Sequence, residues 1–200
     1  MSINLSKGQT INLAKSSGGT LTNVRMGLGW DERQAAPVKK GFFARMAASA
    51  GSGGIDLDAS VILIGGGRVH EIVYFGNLKS KDGSIKHTGD NLTGAGDGDD
   101  ESILVDLSKV PGQVEHLVFT INSFSGESFN QIANAVARMV DSNNRDEELV
   151  RYELTGAGGH TAMVMAKVSR SGGGWAFTAI GQPGNGRTAK DLQTLALRAV

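Results

Sequence analysis

The sequence lacks cysteine, has only 3 prolines, and carries no net charge, with 20 Lys and Arg against 20 Asp and Glu in 200 residues. Without cysteine the chain cannot form disulfides, thiolate zinc sites or a cysteine nucleophile. Because its charges balance, no overall field attracts nucleic acid, and we expect no nucleic-acid partner. No run approaches the roughly 18 apolar residues that span a bilayer, and the N-terminus lacks a basic-then-apolar signal. We therefore expect a cytoplasmic protein.

Glycine is abundant instead, at 29 of 200 residues, about twice the usual ~7%. The glycines cluster between short apolar runs, a pattern typical of many strands joined by tight turns. The pattern predicts an all-β dominated fold, an antiparallel β-sandwich, in a single domain over 1–200. Ile55–Ile64 and Arg68–Phe75, on either side of Gly65–Gly67, are predicted to form a hairpin.

Two segments show helical periodicity and predict about two peripheral helices, over 128–141 and 188–200. Ser128 with Gln131 has the spacing of a capping box, and Thr188 with Asp191 forms a variant of it. We expect both helices to cover the sandwich.

A loop insertion is predicted at about 32–54. Within it, 38–48 is a basic amphipathic stretch. This stretch either packs its aromatic side chains on the sandwich or makes a peripheral membrane contact.

The most distinctive local feature is the acidic segment 90–101, which holds five carboxylates and no Lys or Arg. Such a segment is either a solvated loop or the wall of a cation site. The interleaved Gly94, Gly96 and Gly98 favour a cation site, because they let the backbone turn its carbonyls and carboxylates inward. Calcium needs about six to eight oxygen ligands, which a tight acidic loop supplies.

A second acidic group lies on the predicted strand Ile55–Ile64. Asp56 and Asp58 share one face about 7 Å apart, either flanking a cation or forming an exposed pair. Asp31 is either a turn residue at a strand end or a further ligand. Because the four histidines are scattered along the chain, calcium with oxygen ligands is favoured over zinc.

Several motifs resemble the TerD family of bacterial tellurium-resistance and stress proteins, over nearly the whole chain. They are Gly27-Leu-Gly-Trp-Asp31, Asp56-Leu-Asp-Ala-Ser60, the long block Asp82–Glu101, Asn134–Asp141, Glu148–Leu154 and Thr161–Met163. The sequence departs from the family pattern in its longer 32–54 segment and in Ile55, which replaces the usual aromatic. Neither departure changes an acidic position.

The resemblance implies a β-sandwich that binds Ca²⁺ through acidic loops, has no catalytic activity, and serves tellurite resistance and the general stress response. It also implies related TerD-family proteins and a membrane protein as partners, the latter giving membrane association through a partner. Carried over by motif, the implied calcium contacts are Asp31, Asp56, Asp58, Asp90, Asn91, Asp97, Asp99, Asp100 and Glu101.

Our first hypothesis is therefore a non-enzymatic calcium-binding protein whose metal orders the acidic loops into a partner-binding surface. One alternative is a metal-dependent phosphoester hydrolase, in which the carboxylates hold two cations and His87 or Lys86 supplies a base or an anion clamp. Another alternative is a calcium-dependent membrane-docking module that uses 38–48.

Overall fold

The computed structural model describes residues 2–14, 19–32, 55–89, 99–154 and 158–200. In these ranges the chain forms twelve strands, one 3-10 turn at Phe129–Gln131 and one α-helix, α1, at Gln193–Arg198. The strands are β1 (Ile3–Asn4), β2 (Thr10–Leu13), β3 (Asn23–Glu32), β4 (Leu57–Gly65), β5 (Arg68–Val73), β6 (Ile85–His87), β7 (Glu101–Asp106), β8 (His116–Ser123), β9 (Ile132–Asp141), β10 (Glu147–Glu153), β11 (Ala162–Ser171) and β12 (Gly174–Gly184).

The strands form two six-stranded sheets, which confirms the predicted β-sandwich. Sheet 1 has the order β1-β10-β9-β3-β7-β6, and sheet 2 has the order β2-β12-β11-β8-β4-β5. Strand β1 pairs with β10 in parallel, whereas the other named strands pair antiparallel. The inward side chains of both sheets form one large apolar core.

Strand β4 shows how the sequence pattern sets the two faces of sheet 2. Leu57, Val61 and Leu63 belong to the core between the sheets. Ile62 and Ile64, on the opposite face, belong to a second apolar cluster that includes Leu192 and Ala196 of the C-terminal segment. The alternation of side chains along a strand therefore buries β4 on both faces.

The predicted hairpin after β4 is confirmed, with β4 and β5 pairing antiparallel. Gly66 and Gly67 have φ of 57° and 69°. Two consecutive positive φ values are the signature of a two-residue turn whose twist matches the flanking strands, and glycine adopts them without steric cost.

The predicted helix over 128–141 is wrong, because residues 132–141 form strand β9. This strand lies between β3 and β10, so its backbone is paired on both edges. Ala135, Ala137 and Met139 face the core, and the Ser128 side chain makes no cap hydrogen bond. Apolar spacing that also fits a strand, together with pairing on both sides, overrides the helix preference of the alanines.

The second predicted helix is confirmed in a shorter form, since α1 occupies six residues of 188–200. The expected contact of Thr188 with Asp191 is present but precedes α1, which begins at Gln193 without a side-chain cap: the Asp191 carboxylate accepts hydrogen bonds from the Thr188 backbone and hydroxyl at 3.0 Å. Residues 33–54, which hold most of the predicted insertion and all of the 38–48 stretch, lie outside the described residues. No helix in the described ranges is long and apolar enough to cross a membrane.

Candidate functional site

The fold brings the described acidic positions, 56–58 and 99–101, to one end of the sandwich. Strands β3 and β7 run antiparallel with Leu28 opposite Glu101, so the end of β3 lies beside the start of β7. The Glu101 side chain reaches Ala59 near the start of β4. The end of β3 and the starts of β4 and β7 therefore meet at this end of the molecule.

Glu101 and His87 form a clip between the two sheets at Ala59. Strand β5 pairs with β4 only from Val61 onward, so Ala59 has no strand partner on that side among the described strands. The Ala59 amide donates to Glu101 Oε2 at 2.6 Å, and the Ala59 carbonyl lies 3.1 Å from His87 Nε2. Both side chains are 1% exposed. Side chains of sheet 1 thus satisfy the backbone of sheet 2, as burial of that backbone requires.

The hydrogen bonds at His87 also assign its tautomer. Gly89 donates its backbone N–H to Nδ1 at 3.1 Å, so the ring proton is on Nε2, which donates to the Ala59 carbonyl. Glu101 Oε2 lies 3.5 Å from the same Nε2. Because both ring nitrogens are occupied within the fold, His87 does not offer the base that the hydrolase alternative requires.

Asp100 ties the start of β7 to the end of β3. Its backbone N–H donates to the Leu28 carbonyl at 2.8 Å, and its Oδ2 accepts from the Trp30 amide at 2.9 Å. The Trp30 indole in turn donates to the Ile55 carbonyl at 3.1 Å. Trp30 therefore connects Asp100 to Ile55, the residue before Asp56, through its two N–H groups.

Asp99 is held between two arginines on the outer face of sheet 1. Its Oδ1 accepts from Arg138 Nε at 2.6 Å, and its Oδ2 accepts from Arg25 Nη1. The Asp99 side chain is 7% exposed. Its hydrogen bond is the main reason why the pKa of Arg138 is raised. Both Asp99 oxygens are therefore bound by guanidinium groups in this arrangement.

Two further carboxylates, those of Asp146 and Glu148, also bind these arginines. Asp146 accepts from Arg25 at 3.0 Å, and Glu148 accepts from Arg138 at 3.4 Å and from Arg151 at 2.8 and 3.0 Å. The Arg151 hydrogen bonds are the largest cause of the drop in the Glu148 pKa from 4.5 to about 2. Arg25, Arg138 and Arg151 thus alternate with Asp99, Asp146 and Glu148 in one network.

Asp58 and Asp56 do not form a solvated pair. Asp58 is 2% exposed, and its Oδ2 accepts from the Asn122 amide at 2.9 Å. The same amide donates to the Arg187 carbonyl at 2.9 Å, which brings the C-terminal segment over this part of sheet 2. Asp56 is half-buried, and its carbonyl accepts from the Phe124 backbone at 3.2 Å. The Asp58 carboxylate and the Asp56 backbone are therefore both bound to neighbouring parts of the sandwich.

Four of the predicted contacts cannot be placed as side chains. Asp90, Asn91 and Asp97 lie outside the described residues, and Asp31 is described only by its backbone, which pairs with Ala133 at the end of β3. Among the described residues, no three acidic or histidine side chains form a group suited to hold a metal ion. The described acids supply carboxylate oxygen atoms, the kind of ligand that calcium prefers.

Sequence reasoning missed the two arginines of the site. Arg25 and Arg138 lie 74 and 39 residues from Asp99 along the chain. One feature of the sequence does point to Arg25: it shares one face of a strand with Gly27, and the residues on the other face of that strand are apolar. Trp30 lay within a recognised motif, but its bridging role depends on the register between β3 and β7.

Comparisons with known proteins agree with the fold and the motifs. The chain matches the TerD domain family model over residues 1–197. It is 43% identical over 199 residues to Tellurium resistance protein TerZ of Serratia marcescens, covering 99% of this chain and 98% of that protein. It is 42% identical over 202 residues to Stress response protein SCP2 of Bacillus subtilis (strain 168), covering 96% and 98%.

A solved structure shares the fold. A homologue of telluride resistance protein (TerD) from Streptomyces coelicolor A3(2) superposes with a TM-score of 0.67 at 18% identity, covering 88% of this chain and 98% of that one. The names of these relatives record resistance or stress response and no enzymatic activity. The chain therefore belongs to the TerD family of tellurium-resistance and stress-response proteins.

Proposed function

We propose that this chain is a cytoplasmic, non-enzymatic calcium-binding protein in which Ca²⁺ orders the acidic segment 90–101 and builds a partner-binding surface. The observation that carries the proposal is the anchoring of residues 99–101 near the start of β4, where Asp56 and Asp58 lie in the chain. Asp99, Asp100 and Glu101 each bind a different part of the sandwich. The acidic segment therefore ends at a fixed point, where Glu101 binds the Ala59 amide next to Asp58 in the chain.

The charge balance at this end supports a cation. Segment 90–98 contains Asp90 and Asp97 and no Lys or Arg. Arg25 and Arg138 are already paired with Asp99, Asp146 and Glu148 on the outer face of sheet 1. A divalent cation bound by Asp90, Asn91 and Asp97 together with carboxylates at the rim would offset that charge with the six to eight oxygens that calcium takes.

The test is a calcium titration of chelator-treated protein, followed by calorimetry and by melting temperature. Binding to the folded state at a hundredfold excess over Kd stabilises it by about 2.7 kcal/mol. For a chain of this length that corresponds to a rise of about 5–10 °C in melting temperature. Neither heat nor a melting shift with calcium would overturn the proposal.

Matched variants locate the site. Asp56→Asn and Asp97→Asn should weaken calcium binding, because each removes one carboxylate charge from the acidic end. Asp106→Asn is the control, since Asp106 lies at the opposite end of β7 and binds Lys109 at 2.7 Å. A calcium affinity unchanged in the first two variants would place the metal elsewhere.

An exposed aromatic group beside Asp56 supports the partner-binding part of the proposal. Phe124 is 48% exposed and packs edge-on against Phe75 at 5.8 Å, while Phe75 packs on Tyr74 at 5.4 Å. Exposed aromatic side chains are frequent anchors of protein interfaces. We propose that the partners are related TerD-family proteins and a membrane protein, bound at this group when calcium is present.

The partner proposal is tested by sedimentation of this chain with a related TerD-family protein and with membranes that carry the candidate partner. Binding should require calcium and weaken in Phe124→Ser, whereas Ile3→Ser, which changes an exposed apolar residue on β1, should leave it unchanged. Equal association in calcium and in chelator would contradict the proposal.

A further inference from the structure

Gly27 forms the floor of a small cradle on the outer face of sheet 1. It lies directly opposite Arg138 on β9 and Ser102 on β7, and Arg25 precedes it by two residues on the same face. We call these four residues the Gly27 cradle. A Cβ atom at Gly27 would overlap the Asp99 carboxylate. The φ of Gly27 is not in the left-handed region, so the glycine is required here for space and not for backbone conformation.

The cradle is kept in shape by contacts that do not involve Asp99. Arg25 Nη1 lies within 3.3 Å of Ser102 Oγ, and its Nη2 donates to Asp146. Arg138 donates to Glu148, which is itself fixed by Arg151. Each arginine therefore has a second carboxylate that holds it when Asp99 is absent. Guanidinium groups held in position around a space that can take a carboxylate are a usual means of binding one.

We propose that the Gly27 cradle is a carboxylate-binding site that Asp99 fills from within the chain, and that an external carboxylate replaces Asp99 when calcium draws it into the metal site. The second half rests on the proposed calcium function. The ligand is recognised as a carboxylate, from a free small acid or from an acidic side chain of a partner protein.

The exchange follows from the competing demands on Asp99. Its two oxygens accept from Arg25 and Arg138, so a calcium ion on the same oxygens would lie close to two guanidinium charges that repel it. Asp97 and Asp99 are two residues apart in the acidic segment, so a cation bound there attracts the Asp99 carboxylate. When Asp99 leaves, the network retains three arginines against Asp146 and Glu148, and its net charge becomes positive.

The first arm of the experiment tests the cradle without calcium. Asp99→Ala is titrated in chelator with sodium acetate and with a hexaglutamate peptide, against sodium chloride at equal ionic strength, and the melting temperature is followed. Both carboxylate probes should bind at least about tenfold more tightly to Asp99→Ala than to Asp99→Ala/Arg138→Gln, because the double variant loses a charge-assisted pair. Asp99→Ser replaces Asp99→Ala should the latter fail to fold.

The second arm uses the unaltered chain with and without calcium. Carboxylate binding should appear only with calcium, and Gly27→Ala should abolish it. The proposal is overturned if Asp99→Ala binds neither probe better than the double variant, or if bound calcium, verified by calorimetry, leaves carboxylate binding of the unaltered chain unchanged. Absence of calcium uptake overturns the metal function and the exchange, whereas the first arm, run in chelator, still decides the cradle.

Discussion

The ion pair between Glu148 and Arg151 makes the stability of this protein depend on pH in a calculable way. Glu148 accepts two hydrogen bonds from Arg151, one from Arg138 and one from the Ser2 hydroxyl at 2.6 Å. Together they lower its pKa from 4.5 to about 2. That difference corresponds to about 3 kcal/mol, which we reduce to about 2 kcal/mol because the side chain is 19% exposed and solvent screens the pair.

The sign follows from proton linkage. Since the folded-state pKa lies below the unfolded one, the contribution of Glu148 is fully present above about pH 5 and declines as the pH falls through 4.5 toward 2. Glu148→Gln should therefore lower the free energy of unfolding by about 2 kcal/mol at pH 7 and by less than half of that at pH 3.

Urea unfolding, followed by the fluorescence of Trp30 and Trp175, measures this difference at each pH. Glu153→Gln is the control, because Glu153 is exposed at the end of the same strand, and we expect it to change stability by less than about 0.5 kcal/mol at either pH. A deficit of Glu148→Gln that stays constant from pH 7 to pH 3 would refute the assignment of this stability to the Glu148 carboxylate.

Three further changes test the packing of the site and the fold. Gly27→Ala should cost about 1–3 kcal/mol, because the new methyl group expels the Asp99 carboxylate from its two arginines; chemical denaturation measures the loss, and an unchanged midpoint would contradict the cradle geometry. In chelator, Glu101→Ala should cost about 2–4 kcal/mol by leaving the Ala59 amide without its acceptor, and Glu101→Gln should recover part of that loss. Leu192→Ala should cost about 2–5 kcal/mol, because Leu192 is 1% exposed under sheet 2; a smaller loss would mean that the C-terminal segment is only loosely packed.

Sequence patterns predicted the structure correctly where it depends on residues that are neighbours along the chain. Alternation from Ile55 to Ile64 correctly assigned both faces of β4, and three consecutive glycines correctly located the hairpin turn. Residues 132–141 show the limit. Their apolar spacing fits both a helix and a strand, and only pairing with β3 and β10, which are distant in sequence, decides between them.

The candidate site depends even more on contacts between distant residues. The sequence shows clusters of carboxylates at 56–58 and 99–101, and the fold does bring these positions to one end of the sandwich. That Asp99 binds two arginines depends on the registers of β3 with β9 and with β7. Sequence periodicity does not contain those registers, because a slip of one residue would send every side chain to the other face.

The clip at Ala59 also bears on how copies of this protein behave toward one another. Among the described strands, none pairs with the first residues of β4 on the side of β5, and an unpaired strand edge is where a strand of another molecule would add. The Ala59 amide and carbonyl are already bound to Glu101 and His87, so an incoming strand would first have to displace two buried side chains. The protein thus places its acidic end beside a sheet edge that is protected from aggregation by strand addition.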